Sequence, residues 1–383
     1  MTQRAAAGAA IRKPRARLLR GGFDLPFFVL VLIILMFGLV MMFSASYAYA
    51  YYHYDNSFYY IRKQAVWAVF GVVVMCVMAT FDYHLLHKFV YPVLALSYAS
   101  LLLVFLMPKI KGVRRWIYLG PVNFQPSEVA KFAVVLLFAH WIAKNYSKMK
   151  TFKFGVLPYL LILGSMSVLM LLEPHLSGTI LILVIGFTLM FVGGTSLKWF
   201  GIGGGIAGLG LVAVLLSHKI VYASARFKSW LDPFSAAKTT GWQVIQSLYA
   251  IGSGGLMGLG LGNSRQKYLY ISEPQNDFVF SIVCEELGFV GATAVIILFA
   301  LLVWRGYVIA MRAPDKFGSL LAVGLTTQVG LQAALNIAVV TNSIPNTGIS
   351  LPFFSYGGSS LVMLLFQMGI ILSVSRFSSV EQT

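Results

Sequence analysis

Apolar runs long enough to cross a bilayer recur from residue 25 to residue 375, broken by polar connections that are mostly short. A spanning helix needs about 20 predominantly apolar residues. The runs predict ten spans, roughly 25–45, 64–81, 88–107, 129–144, 154–172, 178–194, 199–217, 278–304, 317–340 and 356–375. The predicted fold class is therefore all-α, a polytopic integral membrane protein. One polar gap is long: residues 218–277, between the seventh and eighth spans. Within it Val244–Leu261, VIQSLYAIGSGGLMGLGL, is apolar but broken by glycine. Irregular backbone at membrane depth is tolerated only where protein or a water-filled cavity covers it. This segment predicts a short amphipathic or re-entrant piece, its glycines serving close packing.

Composition agrees with the pattern. Of 383 residues, 58% are hydrophobic and 11% charged, where soluble domains carry about 25% charged residues. Mean hydropathy is +0.81. No soluble domain is visible: residues 1–22 form a basic tail and 23–383 a single transmembrane domain. The run from Leu25 to Ala45 exceeds the roughly 7–15 residues of a signal-peptide core, so it reads as an uncleaved first helix. Cys76 and Cys284 lie inside apolar runs without metal-ligand spacing and read as packing residues.

Charge sets orientation. Ten spans place both ends on one side, and Arg4, Arg12, Lys13, Arg15, Arg17 and Arg20 predict that side to be cytoplasmic. The inner loops agree, with Lys144, Lys148, Lys150 and Lys153 in one and Arg305, Arg312 and Lys316 in another. Net charge is +17, yet a nucleic-acid reader needs a folded basic face. No nucleic acid is expected, and anionic lipid is the better partner. Two outer loops oppose the insertion bias: Lys109, Lys111, Arg114 and Arg115 in one, Lys219, Arg226, Lys228, Lys238, Arg265 and Lys267 in the other. Cations kept outside imply either an anionic ligand or outer-leaflet phosphates.

Asn263–Gly288, NSRQKYLYISEPQNDFVFSIVCEELG, concentrates charge in a chain that otherwise avoids it. Asp277 stands at its hinge, between polar loop and apolar helix, and is the best general-base candidate. Four further clusters hold membrane-edge polar groups, which are functional hypotheses by default. Gln125-Pro126-Ser127-Glu128 reads as a helix start, with Glu128 and Lys131 three apart on one face, either a functional pair or an ion pair satisfying the helix end. Glu173-Pro174-His175-Leu176-Ser177 offers proton donors or a cap for the next helix. In Arg226–Pro233, Arg226 and Lys228 are phosphate-binding candidates, while Asp232 before Pro233 starts a turn. Asn342–Ser360 breaks the chain with Pro and Gly, then presents Ser355, Tyr356, Ser359 and Ser360 to a ligand or to a packed rim. No metal-ligand spacing, nucleophile elbow or phosphate-binding loop appears. Proton abstraction with cationic stabilisation of a leaving group fits this set.

Taken together, RRWIxLGxxxFQPSE (residues 114–128), EPxL (173–176), GLGxSxQKxxYxxEPQxDFxFxxxxEELG (260–288) and PxTGxxLPFxSYGGSS (345–360) resemble the SEDS family. Its members are polytopic peptidoglycan glycosyltransferases of cell shape, division and sporulation. Ser264–Lys267 is closer to the FtsW/SpoVE branch than to RodA. The resemblance implies polymerisation of lipid II on the outer membrane face, with Asp277 as base and inversion at the donor sugar. It implies that Trp116, Glu128 and Lys131 line the cavity, and that outer cations steady the diphosphate. A divalent cation, Mg or Mn, could share that role. A class B penicillin-binding protein transpeptidase is the implied partner, beside other divisome membrane proteins. His175 departs from the acidic residue common at that turn, so no acidic role is carried over to it. The runner-up functions are a lipid II flippase and a non-catalytic division scaffold.

Overall fold

The fold comes from a computed structural model that describes residues 22–108, 114–119, 122–203, 230–237 and 241–377. Eight described helices are long and apolar enough to cross a membrane, and Leu176–Val192 is a shorter apolar one. With the short amphipathic helix α7 included, the main described helices in chain order are α1 (Leu25–Tyr54), α2 (Tyr59–Thr80), α3 (Leu86–Val104), α4 (Pro126–Asn145), α5 (Leu157–Leu172), α6 (Leu176–Val192), α7 (Trp242–Gly254), α8 (Val279–Met311), α9 (Lys316–Val340) and α10 (Gly358–Phe377). The predicted seventh span falls largely outside the described residues; its helix is described over 197–203. One feature is absent from the all-α reading: an antiparallel hairpin of β1 (Ile117–Leu119) and β2 (Val122–Phe124).

The bundle is built around α4 and α9. Residues from Ala130 to Ala139 of α4 are almost wholly buried. Helix α9 packs on α4, α6, α8 and α10. A helix apolar on all sides belongs inside, and the outer helices turn their exposed apolar faces outward, where lipid replaces protein.

One end of the bundle is tied by Asp24. Its side chain caps α1 through Phe27 N (2.9 Å), and Arg305 of α8 grips both carboxylate oxygens (3.0 and 2.7 Å). Ser375 of α10 accepts from Asp24 N (3.0 Å). Arg305 lies 28 residues beyond Asp277, about 40 Å along a helix, so Asp24 and Asp277 sit at opposite ends.

Helix α7 has 13 residues, about 20 Å of helix and too short to span. The glycine-rich chain after it pairs with α8, where α8 breaks at Gly288 (φ 65°). There Leu259 N and Gly260 N donate to the carbonyls of Glu285 and Glu286. Phe289 N and Val290 N donate to Gly255 and Leu256. The four groups released by the break thus find partners in the glycine-rich segment, as buried backbone must. The approach is close: a Cβ on Gly258 would lie 2.1 Å from Glu286 O. Glycine here serves packing, as the sequence predicts.

Candidate active site

Three successive carbonyls at the mouth of α8 are held by two elements, the loop entering α10 and helix α9. Tyr356 N donates to Gln275 O (2.8 Å), Ser355 Oγ to Asn276 O (2.6 Å), and Asn336 Nδ2 to Asp277 O (2.7 Å). The same Asn336 amide donates to Ile349 O (2.6 Å). So α9 pins the loop that carries Asp277 to the loop that enters α10. Gln64 of α2 adds a third side: it donates to Ser355 O (3.3 Å) and accepts from Gly357 N (3.2 Å). Asp277 is half-buried at this junction. Its carboxylate lies against Gly348, where a Cβ would come within 3.3 Å of Oδ2 and φ is +70°. Only glycine adopts that backbone without strain.

One turn below Asn336, Gln332 continues the network. It donates to Ser350 O (3.1 Å) and accepts from Lys131 Nζ (3.0 Å). Lys131 is paired with Glu128 at 2.8 Å, its side chain 3% exposed. A polar line therefore runs from Glu128 and Lys131 of α4, through Gln332 and Asn336, to the Asp277 loop. A buried cation with this many partners is held in place, not merely tolerated.

The Glu173–Ser177 turn joins the same end. Arg115 donates to Pro174 O. Burial pushes the Glu173 carboxyl up to about 8, Arg115 partly opposing. Burial, helped by Arg115 and Lys131, pushes His175 down to about 3. Both shifts favour the uncharged forms, and no side chain of this turn caps α6 by a hydrogen bond. Arg114 donates to Phe105 O (2.8 Å). Trp116 follows, half-buried, at the start of the hairpin, and β2 rests on α10. Ser360 Oγ donates to Gly357 O (3.0 Å), and Ser359 Oγ is buried in the same turn.

Not every expected residue joins this junction. Lys267, expected to reach a ligand outside, is 2% exposed. Its ammonium binds Glu286 (2.9 Å), Gly262 O (2.6 Å) and Ser44 Oγ (3.3 Å). This corrects its assignment as a ligand cation: it neutralises a buried carboxylate instead. Ser355 likewise spends its hydroxyl on Asn276 O and Leu351 N, so it holds the loop and is not presented to a ligand. Arg226, with Lys228, lies outside the described residues; Trp230, just beyond them, donates to Asn342 O (3.0 Å) at the same end of the bundle.

Asn336, Gln332, Gly348 and Gln64 were not singled out in the sequence. A signal existed for two of them: Gln332 and Asn336 are polar residues four apart in an apolar helix, hence on one face. Among the described residues no group of three His, Cys, Asp or Glu could hold a metal ion.

Comparisons with known proteins agree with this architecture. The family model described as "Cell cycle protein", FtsW/RodA/SpoVE, matches residues 24–380. Stage V sporulation protein E of Bacillus subtilis (strain 168) is 40% identical over 360 residues, covering 93% of this chain and 97% of that one. The probable peptidoglycan glycosyltransferase FtsW of Geobacter sp. (strain M18) is 38% identical, covering 92% and 97%. Among solved structures, one described as "Structural coordination of polymerization and crosslinking by a peptidoglycan synthase complex" matches with TM-score 0.78 and 27% identity, over 94% of this chain and 99% of that one. The rod shape determining protein RodA of Thermus thermophilus matches with TM-score 0.68 at 27% identity, over 94% and 98%. With nearly its whole length matched by the family model and by relatives above a third identical, this chain is a member of the FtsW/RodA/SpoVE family, the SEDS membrane proteins.

Proposed function

We propose that this chain is a peptidoglycan glycosyltransferase that polymerises lipid II at the outer face of the cytoplasmic membrane, with Asp277 as general base. Relatives named as glycosyltransferases support the activity. The observation that carries the assignment of Asp277 is its seating. Its backbone is fixed by Asn336 and its carboxylate lies on the Gly348 turn, at the end of the bundle opposite Asp24. The lysines of 144–153, with Arg312 and Lys316, belong to loops on the Asp24 side, which the positive-inside bias assigns to the cytoplasm.

In this reading the carboxylate of Asp277 takes the proton of the acceptor GlcNAc 4-hydroxyl as that oxygen bonds to C1 of the donor MurNAc. The bond from C1 to the diphosphate oxygen breaks, and undecaprenyl diphosphate leaves with the electron pair. Attack from the face opposite the leaving group inverts α to β. A positioned base contributes about 10²–10⁴-fold. Arg114 and Arg115, just before the hairpin, are described cations suited to the departing diphosphate, since guanidinium pairs with phosphate through directed donors. Arg226 is a further candidate. Any Mg or Mn ion would assist by neutralising that diphosphate. Glu128, Lys131 and Gln332 form the polar line that leads into the bundle, and Trp116, Ser359 and Ser360 are further substrate-binding candidates.

A class B penicillin-binding protein is the proposed partner; the relative in the synthase complex couples polymerisation to crosslinking. The test is purified protein with that transpeptidase, fed lipid II, and glycan length read on a gel. Wild type should yield polymer and Asp277→Asn none, with normal membrane insertion. Full-length polymer from the Asn variant would refute the base assignment. Translocation of labelled lipid II by the protein alone in vesicles would favour a flippase.

A further inference from the structure

Seven of the chain's 19 tyrosines fall between residues 47 and 60, in YAYAYYHYDNSFYY. They cap the α1–α2 hairpin, at the end of the bundle that carries Asp277. Tyr60 meets Tyr356 edge-on, 4.9 Å between centroids, and Tyr356 is the residue that holds Gln275 O. The rings also order one another. Tyr54 and Tyr59 stack at 3.9 Å and 8°, and Tyr49 and His53 at 4.0 Å and 24°. Lys63 lies over Tyr59 at 3.9 Å and donates to its hydroxyl (2.7 Å). Tyr51 and Tyr52 remain 61% and 72% exposed.

Aromatic rings near a membrane surface ordinarily anchor in the headgroup layer. The length of α1 argues against that for these. Its 30 residues make about 45 Å of helix, against a hydrocarbon core of about 30 Å. Burying all of it would need a tilt near 48°, beyond the range of about 0–40°. Asp24, held by Arg305 and Ser375, fixes its other end. About 20 residues from Leu25 reach Ser44, so Tyr47 to Tyr54 stand beyond the hydrocarbon.

Between residues 47 and 60 there is no Leu, Ile, Val or Met. The apolar surface consists of flat rings edged with hydroxyls, beside Asp55, Asn56, Arg62 and Lys63. A protein partner ordinarily meets apolar cores of mixed shape. A pyranose presents a flat face of C–H groups that lies on an aromatic ring, while its hydroxyls and amides reach polar groups around the edge. Tyrosine supplies such contact at low conformational cost.

We infer that the tyrosine cap of α1–α2, centred on Tyr51 and Tyr52, is a carbohydrate-binding platform that carries the sugar rings of the growing glycan strand next to the Asp277 site. This rests on the glycosyltransferase reading and adds to it a subsite for the polymer. The test uses the full chain in phospholipid nanodiscs. The probe is a β-1,4-linked N-acetylglucosamine hexamer, and binding is read by saturation-transfer NMR and tyrosine fluorescence. Tyr51→Ala/Tyr52→Ala should weaken binding by about tenfold or more, the size expected for two lost ring contacts, and should shorten the polymer. Tyr52→Phe should bind within about threefold of wild type, because the ring face remains. Asp277→Asn should bind the hexamer as wild type does while making no polymer. Absence of hexamer binding to wild type, or equal binding by the double Ala variant, overturns the platform whatever Asp277 does. Polymer made by Asp277→Asn overturns the base assignment and leaves hexamer binding intact. A double variant that binds normally but sits differently in the bilayer makes the rings a headgroup anchor and also overturns the platform.

Discussion

Two carboxylate sites lie within ten residues of each other and have opposite designs. Glu285 and Glu286 are wholly buried, each accepting several donors. Glu286 takes Ser44 Oγ (2.7 Å), Lys267 Nζ (2.9 Å) and Ser264 N (3.3 Å). Glu285 takes Arg265 N (2.9 Å), Gln266 N (3.3 Å) and the Ser264 hydroxyl. At Asp277, Asn336 holds the main-chain carbonyl, and the half-buried carboxylate lies against the Gly348 turn. A carboxylate surrounded by fixed donors fastens a loop to a helix. A half-buried carboxylate on a fixed backbone is the arrangement expected of the proposed base.

Disrupting the closed site should cost the most stability. Lys267→Met leaves Glu286 buried without its cation, at about 3–5 kcal/mol. Thermal melts in detergent should show a large loss, with activity falling only as folded protein is lost. Combining Lys267→Met with Glu286→Leu should recover much of that stability, since replacing both ions is often near neutral.

The next effect belongs to Asn336. Asn336→Leu removes the amide from one buried and one part-buried carbonyl, at about 1–3 kcal/mol for the buried one. Glycan synthesis per folded molecule should fall more than the melting temperature predicts, because the Asp277 loop loses its anchor. A smaller effect of the same kind is expected for Gly348→Ala. Left-handed backbone costs an L-residue about 1–2 kcal/mol, and the new methyl would meet the Asp277 carboxylate. The expected result is reduced turnover with lipid II binding retained.

A further expected effect is a pH dependence of stability at Glu173. Its folded value of about 8 lies above the usual 4.5, so the fold binds more protons than the unfolded chain between those values. The stability it contributes is full below about 4.5 and is lost as pH rises towards about 8. Glu173→Gln should flatten that slope in melts taken across this window.

The hydropathy pattern made the helices legible, because each apolar run reports directly on its own burial. It also marked Asn263–Gly288 as the unusual stretch. It did not show which of that stretch's charges were already satisfied. Lys267 reads as a free cation until the fold brings Glu286 to it and Ser44, more than 200 residues away, to both. Asn336 stayed hidden for a related reason: its partners are main-chain carbonyls, which look the same in every sequence. The break in α8 at Gly288 was obscured because Phe289 to Leu301 continues as apolar as a single helix would. The tyrosine cap was plain in the letters, but only the length of α1 gave it a position relative to the bilayer.

The most direct measurement compares Asp277→Asn with Glu286→Gln, each assayed for lipid II polymerisation per folded molecule and for melting temperature. A crossed result is expected: Asp277→Asn melts near wild type and makes no polymer, whereas Glu286→Gln melts well below it and polymerises in proportion to what remains folded. Polymer from Asp277→Asn at the wild-type rate would contradict it.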